Sequence, residues 1–135
     1  MPAFFMPASS ISGNQMQPTI IDNQQAAEFF TDERCFITEL SNSDDDPTCS
    51  IAQARVEPGV TTAWHRLKET TERYCIIAGE GLLEIGELPP RQVAPGDIAI
   101  IPAMCRQRIT NSGQAPLIFQ AICTPRFLTS NYEAL

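Results

Sequence analysis

The chain is short of histidine. Its 135 residues include one, His65, against sixteen acidic side chains and five cysteines. One imidazole cannot complete a two-histidine zinc finger, and no C-x-x-C pair occurs among Cys35, Cys49, Cys75, Cys105 and Cys123. An odd number of widely spaced cysteines reads as reduced thiols used as small core residues in a cytoplasmic protein. Positive charge is scarce too: nine Lys and Arg leave a formal net charge of −7. Such a surface repels nucleic-acid phosphates and offers no polybasic patch to an anionic membrane. No apolar run approaches the length of a bilayer span. The opening "MPAFFMPASS" lacks the basic start and sustained apolar stretch of a signal peptide. The expected molecule is soluble and cytoplasmic, with no nucleic-acid or membrane partner. Long stretches of helical periodicity are missing as well, and no internal repeat is present.

What the chain does contain is a succession of short alternating segments. Residues 1–20, rich in Pro, Ser, Asn and Gln, read as an irregular N-terminal arm, and 21–135 as one domain. "NQQAAEFF", 23–30, suggests a short helix capped by Asp22 or Asn23. "CFITEL", 35–40, alternates like a strand. "SNSDDDPTCS", 41–50, carries three aspartates but no Gly or downstream Glu in calcium-loop positions, so it reads as a solvated loop. From residue 49 onward at least six strand-like segments recur at roughly 8–12-residue spacing, the pattern of an all-β sandwich or barrel.

His65 lies in "TTAWHRLKETTERY", 61–74. On a strand, Ala63, His65 and Leu67 share one face, and on the next strand so do Glu72, Tyr74 and Ile76. Antiparallel pairing of these segments across a turn near 68–71 would aim His65 and Glu72 into one interior, with Glu69 in the turn facing solvent. A carboxylate facing a barrel interior is costly unless it is paired or bound. That cost marks Glu72 as a candidate functional group.

Residues 59–79 read G-x5-H-x-L-x4-E-x6-G, and residues 96–111 read G-x5-P-x-M-x2-Q-x3-N. The first resembles the first motif of the cupin superfamily: Gly59, His65, Glu72 and Gly79 match, and Leu67 stands where cupins carry a second histidine. The second resembles the second cupin motif: Gly96, Pro102 and Asn111 match, Met104 replaces a glycine, and Gln107 takes the place of the third histidine. The resemblance covers about residues 49–125. It implies a double-stranded β-helix, a small jelly-roll barrel, and a cavity site.

By that resemblance His65, Glu72 and Gln107 are the candidate metal ligands, for Fe, Mn, Ni, Co or Zn, and His65, Glu72 and Tyr74 the candidate catalytic residues. The implied function is a metal-dependent enzyme acting on a small organic molecule by dioxygenase, isomerase or lyase chemistry. A metal-free acid/base isomerase and a non-catalytic small-molecule binder are the alternatives. Cys105 and Cys123 are further candidates to line the pocket, although a nucleophilic role finds no second histidine to activate it. Gln53 and Arg55 share one strand face and Ala52, Ala54 and Val56 the other, and either can turn inward. If Arg55 does, it suits a carboxylate substrate. Small cupins of this kind are commonly homodimers, which implies a second copy as partner.

Overall fold

A computed structural model describes residues 15–135, so most of the expected N-terminal arm lies outside the described residues. Eleven strands follow one another: β1 (Glu28–Phe30), β2 (Phe36–Ser41), β3 (Ser50–Val56), β4 (His65–Leu67), β5 (Thr71–Ala78), β6 (Gly81–Ile85), β7 (Arg91–Val93), β8 (Ile98–Ile101), β9 (Gln107–Asn111), β10 (Leu117–Thr124) and β11 (Tyr132–Ala134). They form two antiparallel sheets. One runs β1-β2-β3-β10-β5-β8 and the other β11-β4-β9-β6-β7. The described residues contain no α-helix, only a 3-10 turn at Thr129–Asn131. None of them forms a helix long and apolar enough to cross a membrane.

The short helix expected over 23–30 is not there. Asp22 does act as a cap, its Oδ1 accepting the Gln24 amide at 2.9 Å, but it closes a single turn. The chain then enters β1, which pairs with Phe36–Thr38 of β2. Eight residues are too few to hold a helix without packing, whereas sheet pairing gives their backbone groups partners at once.

The pairing expected between the His65 and Glu72 segments is also overturned. β5 is already bounded on both sides, by β10 and β8, while β4 pairs with β9 and β11 in the opposite sheet. The Lys68–Thr70 link is therefore a crossover between sheets, with Glu69 exposed in a left-handed conformation (φ 67°). His65 and Glu72 still share one interior, but they reach it from opposite walls.

Alternation fills the space between the sheets. Val56, Ile76, Ile101, Ile109 and Leu117 are fully buried and form the core at one part of the barrel. The motif asparagine and glycine act through backbone. Asn111 is buried, and its amide donates to Val56 O (2.8 Å) and Ala115 O (2.9 Å) while its Oδ1 accepts Gly113 N–H. Gly79 turns β5 into β6 at φ 85°, and a Cβ there would stand 2.6 Å from Pro116 O. Only glycine meets both demands.

Candidate active site

The remaining interior is a cavity of about 240 Å³ between the sheets. His65 and Leu67 enter it from β4, while Trp64 and Arg66 point away. Trp64 is held outside by Arg106 and Arg108, whose guanidinium carbons lie 4.5 and 4.4 Å from the ring centre. His65 is 3 % exposed. Its Nδ1 is 2.9 Å from Ala63 O. A carbonyl only accepts, so Nδ1 carries the hydrogen and Nε2 is left for the cavity. The ring stacks on Tyr132 at 5.2 Å.

Beside Nε2, at 3.7 Å, lies Glu33 Oε2. No motif in the sequence marks this residue. It sits in the turn between β1 and β2, where Thr31 O accepts Arg34 N–H and Glu33 O accepts Ala63 N–H at 3.1 Å. That last bond ties the turn to the segment preceding His65. Burial pushes the Glu33 carboxyl up from its ordinary range, and the His65 charge draws it back. Nothing local in "TDERC" carries this signal, because the contact spans more than thirty residues and exists only once the sheets close.

Glu72 enters from the opposite wall on β5 and is 9 % exposed. Its Oε1 is buried without a hydrogen-bond partner. Cys123 Sγ is 4.0 Å from its Oε2. Burial raises the Glu72 carboxyl to about 7, the adjacent Gln107 side chain opposes the shift, and the Glu33 charge adds to it. Gln107 faces His65 directly across the β4–β9 pairing. Its Oε1 accepts the Tyr74 hydroxyl, and the Tyr74 ring packs on Phe119 at 4.2 Å. The Tyr74 hydroxyl is thus committed to Gln107, and burial lifts its pKa well above that of a free phenol. It holds its proton and positions the glutamine amide.

Of the three residues expected as metal ligands, His65 and Glu72 line the cavity, whereas Gln107 is buried outside its lining and bonded to Tyr74, and the set does not fit a resident transition metal. Leu67 supplies only carbon where a ligand would be needed. The Gln107 oxygen accepts the Tyr74 hydroxyl, which leaves it a single lone pair and turns the side chain towards Tyr74. Among the described residues no three His, Cys, Asp or Glu side chains converge on a common point.

Ala52 and Ala54, not Gln53 and Arg55, face the cavity. Arg55 lies over the Phe36 ring and pairs with Glu28 at 2.6 Å and with Glu57. Its cation is therefore spent on the outer face. Cys123 does line the cavity, as does Cys35, but burial and the neighbouring carboxylates push both thiols up to about 12. They are protonated packing groups. Cys105 falls outside. Met104 adopts φ 70° just before it, so strand alternation does not extend back from Gln107, and Cys105 packs beneath Gly86.

Comparison with known proteins agrees with this architecture. The family model described as "Cupin domain" matches residues 52–124. No curated protein matches the sequence. Among solved structures, the nucleoside dehydratase Pac13 of Streptomyces superimposes with TM-score 0.72 at 13% identity, over 88% of this chain and 92% of that one. Variants of it with a tyrosine or a histidine replaced have been solved with uridine. A Klebsiella pneumoniae protein with a double-stranded β-helix domain gives TM-score 0.69 at 18% identity, over 87% and 97%. A predicted oxalate decarboxylase of Thermotoga maritima gives 0.70 at 16%, over 79% and 99%. At these identities the likeness speaks for the fold alone.

Proposed function

Because the chain belongs to the cupin family and has that family's double-stranded β-helix, we propose that it is an enzyme moving a proton on a small organic molecule in the barrel cavity. The chemistry is isomerase or lyase chemistry, with acid and base supplied by the chain itself. The observation that carries this reading is Glu72: a buried carboxyl, unpartnered at Oε1, with a pKa of about 7. A general base is most effective when its pKa lies near the working pH. Near neutrality Glu72 is divided between its two forms. Ionised, it takes a proton from an acidic C–H of the substrate, and burial then favours the neutral acid that results. From the other wall His65, pinned through Nδ1–H, in its imidazolium form donates the Nε2 proton to the carbonyl or leaving oxygen and so becomes neutral while Glu72 becomes the acid. Glu33 positions that imidazole from the side. The Tyr74–Gln107 pair fixes the amide beside Glu72, and the apolar walls exclude bulk water. The Streptomyces nucleoside dehydratase, similar in fold, carries out an elimination of this general class.

A generic C–H acid tests the reading without knowledge of the substrate. 5-Nitrobenzisoxazole opens on proton removal, with a change in absorbance. The expected result is saturable ring opening whose rate rises through an apparent pKa near 7 and is lost in Glu72→Gln. A rate in the wild-type protein no greater than in Glu72→Gln would refute a proton-accepting Glu72.

A further inference from the structure

The cavity also carries a statement about the charge of what enters it. Three carboxyl groups line it: Glu33, Glu39 and Glu72. Among the described residues no lysine or arginine does. The nearest candidate, Arg55, is turned outward onto Glu28 and Glu57. His65 is the single lining side chain able to carry positive charge. The remaining walls are largely aromatic and aliphatic, with Phe29, Phe119, Phe127, Tyr74 and Tyr132 among them.

Carboxylates grouped in this way ordinarily have mutual ion pairs or open solvent to offset them. Here Glu72 lines the cavity at 9 % exposure, and its Oε1 is buried without a hydrogen bond of ordinary geometry, with the Gln107 side chain its nearby polar group. An unpaired buried acceptor calls for a ligand that brings hydrogen-bond donors. Aromatic faces beside carboxylates add attraction for a cation through the ring quadrupole. An incoming carboxylate would meet the like charge of these three carboxyl groups, with His65, already beside Glu33, the one side chain able to answer it.

We propose that the cavity is selective for a small organic ammonium, with Glu33 and Glu39 drawing in the charged nitrogen and Glu72, more deeply buried on the same sheet as Glu39, meeting the rest of the molecule. The inference rests on the preceding reading of this cavity as the substrate site and narrows it: the substrate is an amine and not an organic acid. The division of labour follows from exposure. Glu33 is half-buried and Glu39 exposed, so they can meet a hydrated cation at the mouth. Glu72, at depth, remains free for the C–H next to it.

Three probes share one benzyl skeleton: benzylamine, benzyl alcohol and benzoate. Titration calorimetry on the full chain near neutral pH is expected to show benzylammonium binding on the order of 100-fold tighter than benzoate, with the alcohol between them. The preference should shrink by about tenfold in Glu33→Gln and further when Glu39→Gln is added, with circular dichroism confirming the fold. Benzoate binding as tightly as the amine, or none of the three binding, would overturn the proposal. The two readings fail separately. A cavity that opens the isoxazole yet prefers benzoate refutes the ligand class alone. One that prefers the amine yet is inert to the isoxazole refutes the proton transfer alone.

Discussion

Replacing Glu72 by glutamine should make this protein more stable while disabling its chemistry, and the gain should depend on pH in a defined way. The unfolded carboxyl titrates near its ordinary 4.5, the folded one at about 7. Between those values the folded protein retains a proton that the unfolded chain has lost. Folding therefore takes up a proton, and stability falls as pH rises through this window. Below about 4.5 both states are protonated and nothing is lost. Above about 7 both are ionised and the full penalty stands. A difference of about 2.5 pKa units corresponds to about 3 kcal/mol. Roughly 1 kcal/mol of this is already present near pH 5, so the advantage of the glutamine variant should grow by about 2 kcal/mol between about pH 5 and about pH 8. Glutamine has nearly the same shape, and its amide can meet the same neighbours without being desolvated as a charge. Urea unfolding of both proteins at the two pH values reads the difference directly. A glutamine variant less stable than wild type by the same amount at both pH values would refute the reasoning, because it would mean that the buried carboxyl is a satisfied structural group. The expected combination, stability gained and proton transfer lost, is that of a functional group held against its own burial cost.

Three further outcomes follow from single contacts. Tyr74→Phe removes the hydroxyl that donates to buried Gln107 Oε1 and should cost about 1–3 kcal/mol in chemical denaturation; an unchanged midpoint would show that the hydroxyl does not support the glutamine. Gly79→Ala places a Cβ 2.6 Å from Pro116 O at φ 85°, and its melting temperature should fall by the equivalent of more than about 2 kcal/mol; a melt within a degree of wild type would contradict the close approach. In the native protein a thiol reagent should label Cys49, Cys75 and Cys105, with Cys35 and Cys123 reacting only on unfolding; mass-spectrometric mapping that finds all five modified at one rate would show an open cavity.

The residues that specify the barrel were legible because their work is local. Gly59, Gly79 and Gly96 sit at turns with positive φ, and Asn111 at a strand end ties neighbouring backbone. Period-two alternation put His65 and Leu67 on one face, and Glu72, Tyr74 and Ile76 on one face, as they are. The short helix at 23–30 failed where local capping competed with sheet pairing. Asp22 closes its turn as a cap does, but the free edge of β2 takes up Glu28–Phe30. Cys105 failed because alternation was extended through a turn.

What sequence alone determined, then, is which side chains share a strand face: alternation depends only on spacing along the chain. It did not determine what they meet inside. Whether Glu72 pairs with a strand neighbour or looks across a cavity depended on both edges of β5 being occupied by β8 and β10. How the Gln107 amide is oriented depended on Tyr74, thirty-three residues away, donating to its oxygen. Glu33, from a turn with no motif of its own, became the neighbour of His65 only when Ala63 N–H bonded to its carbonyl. These are contacts between segments distant in sequence, made in a low-dielectric interior that only the closed barrel creates. That interior brings the Glu72 carboxyl to a pKa at which it can exchange a proton near neutrality.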